Sequence, residues 1–297
     1  MGSKVLYYIV LLPISKLPYP LLYLLSNFVF FLMYRVVGYR KKVVLKNIKA
    51  SFPEKSDEEH LKIMVDFYRH FCDLITESVK GFSLKKEEAL KRMELVNPEV
   101  ANHFFEKGQD VIFVGGHYNN WEIFAIAAGL QMKHIPVGIY KPLSDKYMDK
   151  KMKESREKYR LKMCATHDVK NFIGEKQEKP KATIFAIDQS PSNPKKSYWM
   201  NFLNQETPVL YGAEKYAKEL GLPVIFGKIE KVKRGHYKTT LKLLCDNPTE
   251  QPYGYIMQLA TKELEKDIIE HPQYWLWTHK RWKHKRPEDM ELHKTIV

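Results

Sequence analysis

The sequence predicts an α/β fold, with a mixed, largely parallel sheet flanked by helices and a hydrophobic anchor helix at the N-terminus. Three observations support this prediction. Short β-branched apolar runs alternate with helical segments between residues 111 and 230, which is the pattern of strands buried under covering helices. Residues 5–37 are the most apolar part of the chain. The 297 residues are 44% hydrophobic, which is enough for one sizeable core or two modest ones.

The composition restricts the partners and the compartment. The net charge is +14, which favours an acidic partner such as anionic lipid headgroups, nucleic acid or an acidic protein. The three cysteines, Cys72, Cys164 and Cys245, are far apart. They form neither a disulfide framework nor a cluster with the spacing of metal ligands. We therefore expect a reducing compartment and no metal site.

Residues 1–37 are predicted to form a membrane anchor. Leu21–Val37 has few strongly polar residues, and its length is borderline for a transmembrane helix, which needs about 20 residues. A signal peptide matches poorly, because no small-residue cleavage site follows the first apolar run, Val5–Leu12. The end of the apolar segment and the residues after it are basic: Arg35, Arg40, Lys41, Lys42, Lys46 and Lys49. The positive-inside tendency then puts the following domain in the cytoplasm. The alternative is a buried amphipathic helix of the core.

Residues 38–297 are predicted to form the main domain, beginning with a helical lead-in over residues 38–95. One helix should run from Lys42 to Ser51 and stop at Phe52-Pro53, since proline cannot continue it. Ser56–Glu59 has the pattern of a capping box, which predicts the start of a second helix. A third, charged helix is predicted over Leu84–Met93.

The centre of the chain has a strand, a turn and a helix in succession. Val111–Val114 is a short apolar run that predicts a buried strand. Gly115 and Gly116 allow a sharp turn or the close approach of a substrate. Either Asn119 or Asn120 can cap the helix that runs on to Leu130.

His117 and Glu122 belong to this succession and predict an acid–base site. On one continuous helix they would point roughly 140° apart, so they can meet only if His117 lies in the turn and Glu122 in the first helical turn. A carboxylate on one ring nitrogen would leave the other free as a general base. Alternatively, His117 is a hydrogen-bonded turn residue and Glu122 serves the helix dipole. Zinc is not favoured, because two histidines with i, i+4 spacing are absent here.

Residues 96–250 are predicted to form the α/β core, and further strands and a helix follow the central motif. Ile135–Tyr140 and Thr183–Ile187 are predicted strands, separated by a basic helix over Asp145–Arg160. Asp188 and Gln189 follow a strand directly, and the carboxyl ends of strands are where open α/β sheets bind ligands.

Two more strands and a tail complete the chain. Val224–Glu230 and Tyr237–Leu244 alternate in polarity and predict an antiparallel hairpin at a sheet edge. The last part, residues 251–297, should contain a helix over Tyr253–Ile269 and then a tail rich in tryptophan and basic residues. That tail suits a membrane interface or phosphate contact. It also resembles nucleic-acid binders. Alternatively, it is a C-terminal helix that packs its tryptophans on the core.

Several ordered motifs resemble the lipid A biosynthesis (late) acyltransferases, within the lysophospholipid and glycerolipid acyltransferase superfamily. The motifs are His117-x4-Glu122, Asn47-x4-Phe52-Pro53, Tyr140-Lys141-Pro142, Asp188-Gln189 and Trp277-x3-Arg281-Trp282-Lys283. The resemblance implies a glycerolipid acyltransferase-like fold. It also implies that His117 and Glu122 are catalytic and that a second group binds substrate: Asn119, Lys141, Arg156, Asp188, Gln189 and Arg281. The chain departs from the family at Phe202-Leu203-Asn204, where Phe-x-Gly is usual.

The resemblance further implies a direct acyl transfer without a cofactor. His117 would take a proton from an acceptor hydroxyl while Glu122 orients the ring. The oxyanion would be stabilised by turn amides or Arg156. The implied co-substrate is acyl-acyl carrier protein, and the acceptor is a hydroxyl of a 3-hydroxyacyl chain on an anionic lipid A precursor.

The expected partners are therefore acyl carrier protein, this glycolipid and the cytoplasmic face of the inner membrane, and not nucleic acid. The alternatives are an acyltransferase for a lysophospholipid or an aminoacyl lipid, and a basic membrane-binding protein without enzymatic activity.

Overall fold

The N-terminal segment, defined as residues 2–37, consists of two helical stretches joined by a bend at Leu17 and Pro18. The computed structural model describes residues 2–175 and 177–296. The segment comprises α1 (Gly2–Val5), a π-helical stretch (Leu6–Leu11), α2 (Leu12–Lys16), α3 (Tyr19–Phe30) and a second π-helical stretch (Phe31–Val37). By length and composition, Tyr19–Val37 could cross a membrane, and only 17% of its most apolar window is buried.

Three helices form the lead-in to the sheet: α4 (Lys41–Ser51), α5 (Asp57–Lys80) and α6 (Lys86–Arg92). The predicted capping box of α5 is confirmed. The Ser56 hydroxyl accepts the Glu59 amide at 3.2 Å, and the Ser56 amide donates to the Glu59 carboxylate at 2.8 Å. This reciprocal pair satisfies two amides that the first helical turn leaves free.

The main sheet has seven strands in the order β1-β9-β8-β2-β5-β3-β4. Its strands are β1 (Met93–Leu95), β2 (Val111–Gly115), β3 (Ile135–Tyr140), β4 (Lys162–Ala165), β5 (Lys181–Ala186), β8 (Val224–Lys233) and β9 (His236–Cys245). Only the β8–β9 pair is antiparallel, so the prediction of a mixed, largely parallel sheet is confirmed. A separate two-stranded ribbon pairs β6 (Tyr198–Phe202) with β7 (Gln205–Val209).

The hairpin of β8 and β9 was predicted at a sheet edge, and that placement is wrong. β1 pairs in parallel with β9 on its outer side, with Met93 opposite Tyr237. The sequence hides this strand because three residues at the end of a helical pattern carry too little period-2 signal.

Helices cover the sheet: α7 (Glu99–Phe105), α8 (Trp121–Gln131), α9 (Lys146–Arg156), α10 (Val169–Ile173), α11 (Gly212–Leu220) and α12 (Tyr255–Glu270). The predicted basic helix over Asp145–Arg160 ends as an α-helix at Arg156, and a 3₁₀ turn follows it. Alternate residues of β2 enter different clusters: Ile112 and Val114 pack with α12, and Val111 and Phe113 with α7 and α8. Burial on both faces explains why this strand is apolar throughout.

The tail after α12 packs into the core, and its hypothesised role at a membrane interface is wrong for its first two tryptophans. Trp275 is 2% exposed and Trp277 is fully buried. Their rings meet edge to face at 4.7 Å. They belong to the same cluster as Val114 and Leu264, so the alternative in which the tryptophans pack on the core is confirmed, although this part is not a helix.

Candidate active site

The predicted site lies where two neighbouring parallel strands end. Gly115 of β2 stands opposite Ala186 of β5, and the Ile187 amide donates to the Gly115 carbonyl at 3.0 Å. His117 and Asp188 each follow two residues after their strand. Because the strands are parallel, their carboxyl ends meet at one edge of the sheet. The fold therefore brings together two side chains that are 71 residues apart.

Gly116 allows the turn to pass close to the helix behind it. A Cβ atom at this position would lie 2.7 Å from both terminal methyl carbons of Leu264 and 3.2 Å from Asp188 Oδ2. Real side chains do not make such contacts without a shift of the neighbours. The glycine thus lets the His117 amide reach the Asp188 carboxylate.

His117 is held by Asp188 through two hydrogen bonds. His117 Nδ1 lies 2.7 Å from Asp188 Oδ1, and the His117 amide donates to Asp188 Oδ2 at 2.7 Å. The indole of Trp275 also donates to Oδ2, at 2.8 Å. A carboxylate can only accept, so Nδ1 carries the proton and Nε2 is unprotonated, with a lone pair that can accept. Nε2 lies 3.2 Å from the side-chain nitrogen of Gln189, which donates to it in this arrangement.

Burial and charge shift the pKa values of His117 and Asp188 in opposite directions. Burial by itself would lower the pKa of His117, but the Asp188 charge and hydrogen bond outweigh it and hold the pKa above its usual 6.5. Burial would likewise raise the pKa of Asp188, yet His117 and the donated hydrogen bonds lower it to about 2. Asp188 is therefore ionised at neutral pH, and His117 is a strengthened base.

Glu122 forms a second pair, with Arg156, and this corrects the expectation that Glu122 orients the imidazole. Arg156 Nε donates to Oε2 of Glu122 at 2.9 Å, and one Nη donates to Oε1 at 2.7 Å. Oε1 also accepts the indole N–H of Trp121 at 3.0 Å. Within the described chain Glu122 has no hydrogen bond to His117, although its charge still raises the pKa of His117. The two-pronged guanidinium matches a carboxylate better than one ring nitrogen does.

The remaining predicted residues divide into two groups. Lys141, Arg156 and Gln189 line the same cavity as His117, so the structure brings them to the site. Asn119 does not line it: this residue is 1% exposed, has a φ of 53°, and donates to the Ile229 carbonyl at 2.7 Å. The residue that caps α8 is Asn120, whose side chain accepts the Ile123 amide at 2.9 Å.

Arg281 is buried and lies outside the cavity wall. Its guanidinium donates to the Pro208 carbonyl at 2.8 Å, and only 1% of the residue is exposed. Burial lowers its pKa to about 10, against the opposing effect of the Asp188 charge. In this position it contributes positive charge to the surroundings of Asp188.

The cavity in front of His117 is mainly apolar and has a volume of about 660 Å³. Strands β2, β3 and β5 and helices α8 and α9 supply its wall, including Phe113, Phe124, Ile139, Met152, Ile184 and Phe185. Polar and charged side chains line part of the same cavity, among them His117, Gln189, Arg156, Lys141 and Lys153, and Gln189 is in contact with the imidazole. Such a cavity can hold a long apolar chain with its reactive end at the imidazole.

Sequence reasoning missed three features of the site. Asp188 was predicted to bind substrate. Its contact with His117 could have been predicted by placing the two parallel strands that precede these residues side by side. Trp275 had no local signal that would place it on Asp188. Glu77 is fully buried in the last turn of α5, where it accepts from Asn120 at 2.5 Å and from Tyr237 at 2.9 Å. A carboxylate on the buried face of a long amphipathic helix was the available sign of such a contact.

Known proteins resemble this chain over nearly its whole length. A family model described as bacterial lipid A biosynthesis acyltransferase matches residues 2–284. A lipid A biosynthesis lauroyltransferase of Escherichia coli strain K12 is 23% identical over 278 residues, covering 93% of this chain and 89% of that protein. A lipid A biosynthesis palmitoleoyltransferase of the same strain and a lipid A biosynthesis acyltransferase of Shigella flexneri are each 20% identical, over 90% of this chain and 87% of theirs.

These matches identify the chain as an acyltransferase. The family model spans almost the entire sequence, from the N-terminal segment through the tryptophan-rich tail. The protein belongs to the bacterial lipid A biosynthesis acyltransferases.

Proposed function

We propose that this enzyme transfers a fatty acyl chain from the thioester of acyl carrier protein directly to the hydroxyl of a 3-hydroxyacyl chain on a lipid A precursor. The observation that carries the proposal is the state of His117: Nδ1 is bound to Asp188 at 2.7 Å, and the residue lines the apolar cavity. A base with its lone pair at the cavity suits deprotonation of a hydroxyl group.

In the proposed reaction, His117 first accepts the proton of the acceptor hydroxyl and then gives it to the leaving thiolate. The acceptor hydroxyl displaces the Gln189 amide from Nε2 and gives its proton to that nitrogen as its oxygen attacks the thioester carbonyl. The tetrahedral intermediate collapses, the carbon–sulfur bond breaks, and the imidazolium protonates the leaving thiolate. The products are an ester and a thiol, and no acyl-enzyme forms. The charge of Asp188 stabilises the imidazolium in between.

Glu122 and Arg156 act together in this proposal. Glu122 fixes two nitrogens of the guanidinium, at 2.9 and 2.7 Å, and Arg156 lines the cavity beside His117. The third nitrogen, Nη1, has no hydrogen bond partner within residues 2–175 and 177–296. We assign it to the oxyanion of the intermediate, because an oriented guanidinium stabilises such a charge without reorganisation.

The acyl chain of the donor occupies the apolar cavity, and the charged parts of both substrates remain outside. Lys141 and Lys153 line the same cavity, and the whole chain carries a net charge of +14. Positive charge at the mouth favours both an acidic carrier protein and the phosphates of a glycolipid. The reaction then takes place at the cytoplasmic face of the inner membrane, where a thioester donor and a lipid acceptor meet.

Mass spectrometry of total glycolipids and phospholipids tests the proposal, in cells with the gene, without it, and with the His117→Ala variant. The expected result is the loss of one secondary acyl chain from lipid A without the gene, restored by the wild type and not by the variant. A change confined to a lysophospholipid or an aminoacyl lipid would retain the chemistry and move the acceptor. Unchanged lipids in all strains would refute the function.

A further inference from the structure

The N-terminal segment is attached to the catalytic domain along its length. Going along the helix from its start, the Leu17 carbonyl accepts from Lys80 at 2.9 Å, Tyr23 donates to Glu77 at 2.8 Å, and Ser26 donates to Asp73 at 2.7 Å. The guanidinium of Arg69 then lies 5.6 Å from the Phe30 ring, and the ring of Tyr68 lies 5.3 Å from that of Tyr34. The partners on α5 fall steadily from residue 80 to residue 68, so the two helices are antiparallel neighbours.

This attachment restricts how the segment can meet a bilayer. Residues 17 to 34 rise about 25 Å along the helix axis, which is most of the thickness of the hydrocarbon core. α5 runs beside it over that whole distance and has an ionisable residue in every turn. If the segment crossed the bilayer in this arrangement, α5 and the sheet behind it would have to enter the hydrocarbon, where charged groups are strongly disfavoured.

The opposite face of the segment is apolar and uncovered. Leu21, Leu24, Phe28, Phe31 and Val36 are between 50% and 65% exposed, and their spacing of three to five residues keeps them on one side of the helix. The buried residues of the same helix, Leu22, Ser26 and Tyr34, alternate with them. An exposed apolar patch of this kind is typical of a surface that contacts a membrane or another protein.

Positive charge lies next to this face. Arg69 is exposed beside Phe30. Arg234 donates to the Asn27 side chain at 3.0 Å, but its charge is already paired with Asp73 at 2.6 Å. Arg35, Arg40 and Lys42 are exposed at the end of the segment. An apolar stripe with guanidinium groups along its border fits an anionic lipid surface better than it fits a protein groove.

We propose that the N-terminal segment lies along one leaflet, with the stripe of Leu21, Leu24, Phe28, Phe31 and Val36 in the lipid, and does not cross the membrane. The occupant of this face is a bilayer containing anionic lipid. The proposal rests on the membrane location given under Proposed function, and it is independent of the acceptor of the reaction.

The arrangement also brings the cavity close to the lipid. The Tyr7 ring packs edge to face with Tyr147 at 6.1 Å, and the Lys151 ammonium lies 5.2 Å from the Tyr7 ring. Tyr147 and Lys151 belong to α9, the helix that carries Arg156 on the cavity wall. A lipid acceptor in the same leaflet therefore has a short path to His117.

Single cysteines decide between the topologies. We would place them at Lys4, Lys16 and Lys42, all exposed, with Lys107→Cys as the reference for the catalytic side. The native cysteines, Cys72, Cys164 and Cys245, are buried. A membrane-impermeant maleimide is then added to spheroplasts and to inverted membrane vesicles.

The three topologies give different labelling patterns. The proposal requires that all four positions label from the same side. A single span over Tyr19–Val37 would put Lys4 and Lys16 on the side opposite to Lys42, and a hairpin would put Lys16 alone there; either result overturns the proposal. Because Lys107 reports the catalytic side by itself, these outcomes do not depend on whether lipid A is the substrate.

Vesicle flotation gives an independent measurement. The purified full chain is mixed with vesicles of phosphatidylethanolamine and phosphatidylglycerol, and the variant Leu24→Gln/Phe28→Gln is compared with the wild type. We expect binding to fall about tenfold or more, because two large apolar side chains lose their transfer into lipid, while the melting temperature is unchanged. Leu61→Gln, at a leucine of α5 that is 45% exposed and lies outside the stripe, serves as the control and should bind normally. Equal binding of the stripe variant and the wild type would contradict the proposal.

Discussion

Two buried carboxylates, Asp188 and Glu77, contact the turn between β2 and α8 at His117 and at Asn120, and the structure holds them in different ways. Asp188 faces an imidazole, a backbone amide and an indole, and these groups lower its pKa to about 2. Glu77 accepts from two tyrosine hydroxyls and the Asn120 amide, and burial raises its pKa.

The difference shows that two carboxylates can act on the same turn in different ways: one through its charge, the other by holding the backbone in place. Asp188 remains an anion and sets the base strength of His117. Glu77 joins neutral donors from three places: Tyr23 of the N-terminal segment, Tyr237 of β9 and Asn120, the cap of α8. It fixes the start of the helix that carries Glu122. The five predictions below run from the largest expected effect to the smallest.

The His117→Ala variant should lose the most activity. Removal of the base is expected to lower kcat by about 10²–10⁴-fold, because no other described group accepts the hydroxyl proton at that position. The measurement is transfer of a radiolabelled acyl group from acyl carrier protein to a lipid A precursor. Circular dichroism should show a folded protein with a lower melting temperature, since buried Asp188 loses the ring but keeps the His117 amide and the Trp275 indole as donors. A folded variant with full activity would remove His117 from the mechanism.

The Asp188→Asn variant should lower kcat by about 10²–10³-fold through a weaker and misoriented base. The sign of its pH effect follows from charge. The wild-type carboxylate raises the pKa of His117, and activity rises as that ring loses its proton. Without the charge the pKa falls, so the acidic limb of the kcat/KM profile should move to lower pH. An acidic limb that stays in place would show that Asp188 does not tune the base.

The Glu122→Gln and Arg156→Lys variants should each lower kcat by about 10–10³-fold. Lysine retains the positive charge but loses the two-pronged contact with Glu122. If Glu122 acts by holding Arg156, the double variant should be little worse than Arg156→Lys alone, because the second change removes an interaction that is already lost. Additive losses in the same acyl-transfer assay would instead assign Glu122 a separate role on substrate or on His117.

The Glu77→Gln variant should affect stability more than chemistry. One of its neutral donors would face an amide N–H in place of an oxygen, at a cost of about 1–3 kcal/mol of unfolding free energy. We expect less than a tenfold loss of kcat, with KM unchanged. A loss as large as that of Asp188→Asn would overturn the division between the two carboxylates.

The pH dependence of this variant is also predicted. The folded state raises the pKa of Glu77 from its usual 4.5, so the native protein binds this proton more tightly than the unfolded chain does. Wild-type stability therefore falls as pH rises above about 4.5, and glutamine removes this dependence. The difference in melting temperature between wild type and Glu77→Gln should be larger near about pH 5 than near about pH 8. A difference independent of pH would show that Glu77 is ionised in both states.

Local sequence patterns predicted most of the elements that position the site. The apolar run Val111–Val114 and the glycine pair indicated the strand and turn before His117, and the structure has them there. Ile135–Tyr140 is a strand with the predicted ends. The short strand Met93–Leu95 was missed, as was the 3₁₀ ending after Arg156. Neither has the length over which periodicity becomes informative.

The pairing of the acids could not be read from the chain alone. His117 and Glu122 are close in sequence, and that closeness favoured Glu122 as the group that orients the ring. In three dimensions Glu122 meets a guanidinium from 34 residues away, and His117 meets a carboxylate from 71 residues away. Arg281 shows the same limit, because a motif identifies its residue type but not that it is buried, with 1% exposure, where the charge of Asp188 acts on its pKa.

The sequence by itself determined the α/β class, the strand–turn–helix around His117, the apolar N-terminal segment and the family resemblance, because each depends on patterns within about twenty residues or on ordered motifs. The tertiary structure decided which acid orients the base, which arginine lines the cavity and how the N-terminal segment lies against α5. These depend on which strand ends become neighbours and on which of several charged side chains lies within contact distance of a given partner. Such contacts form only when distant segments pack together, and so they leave no periodic trace in the chain.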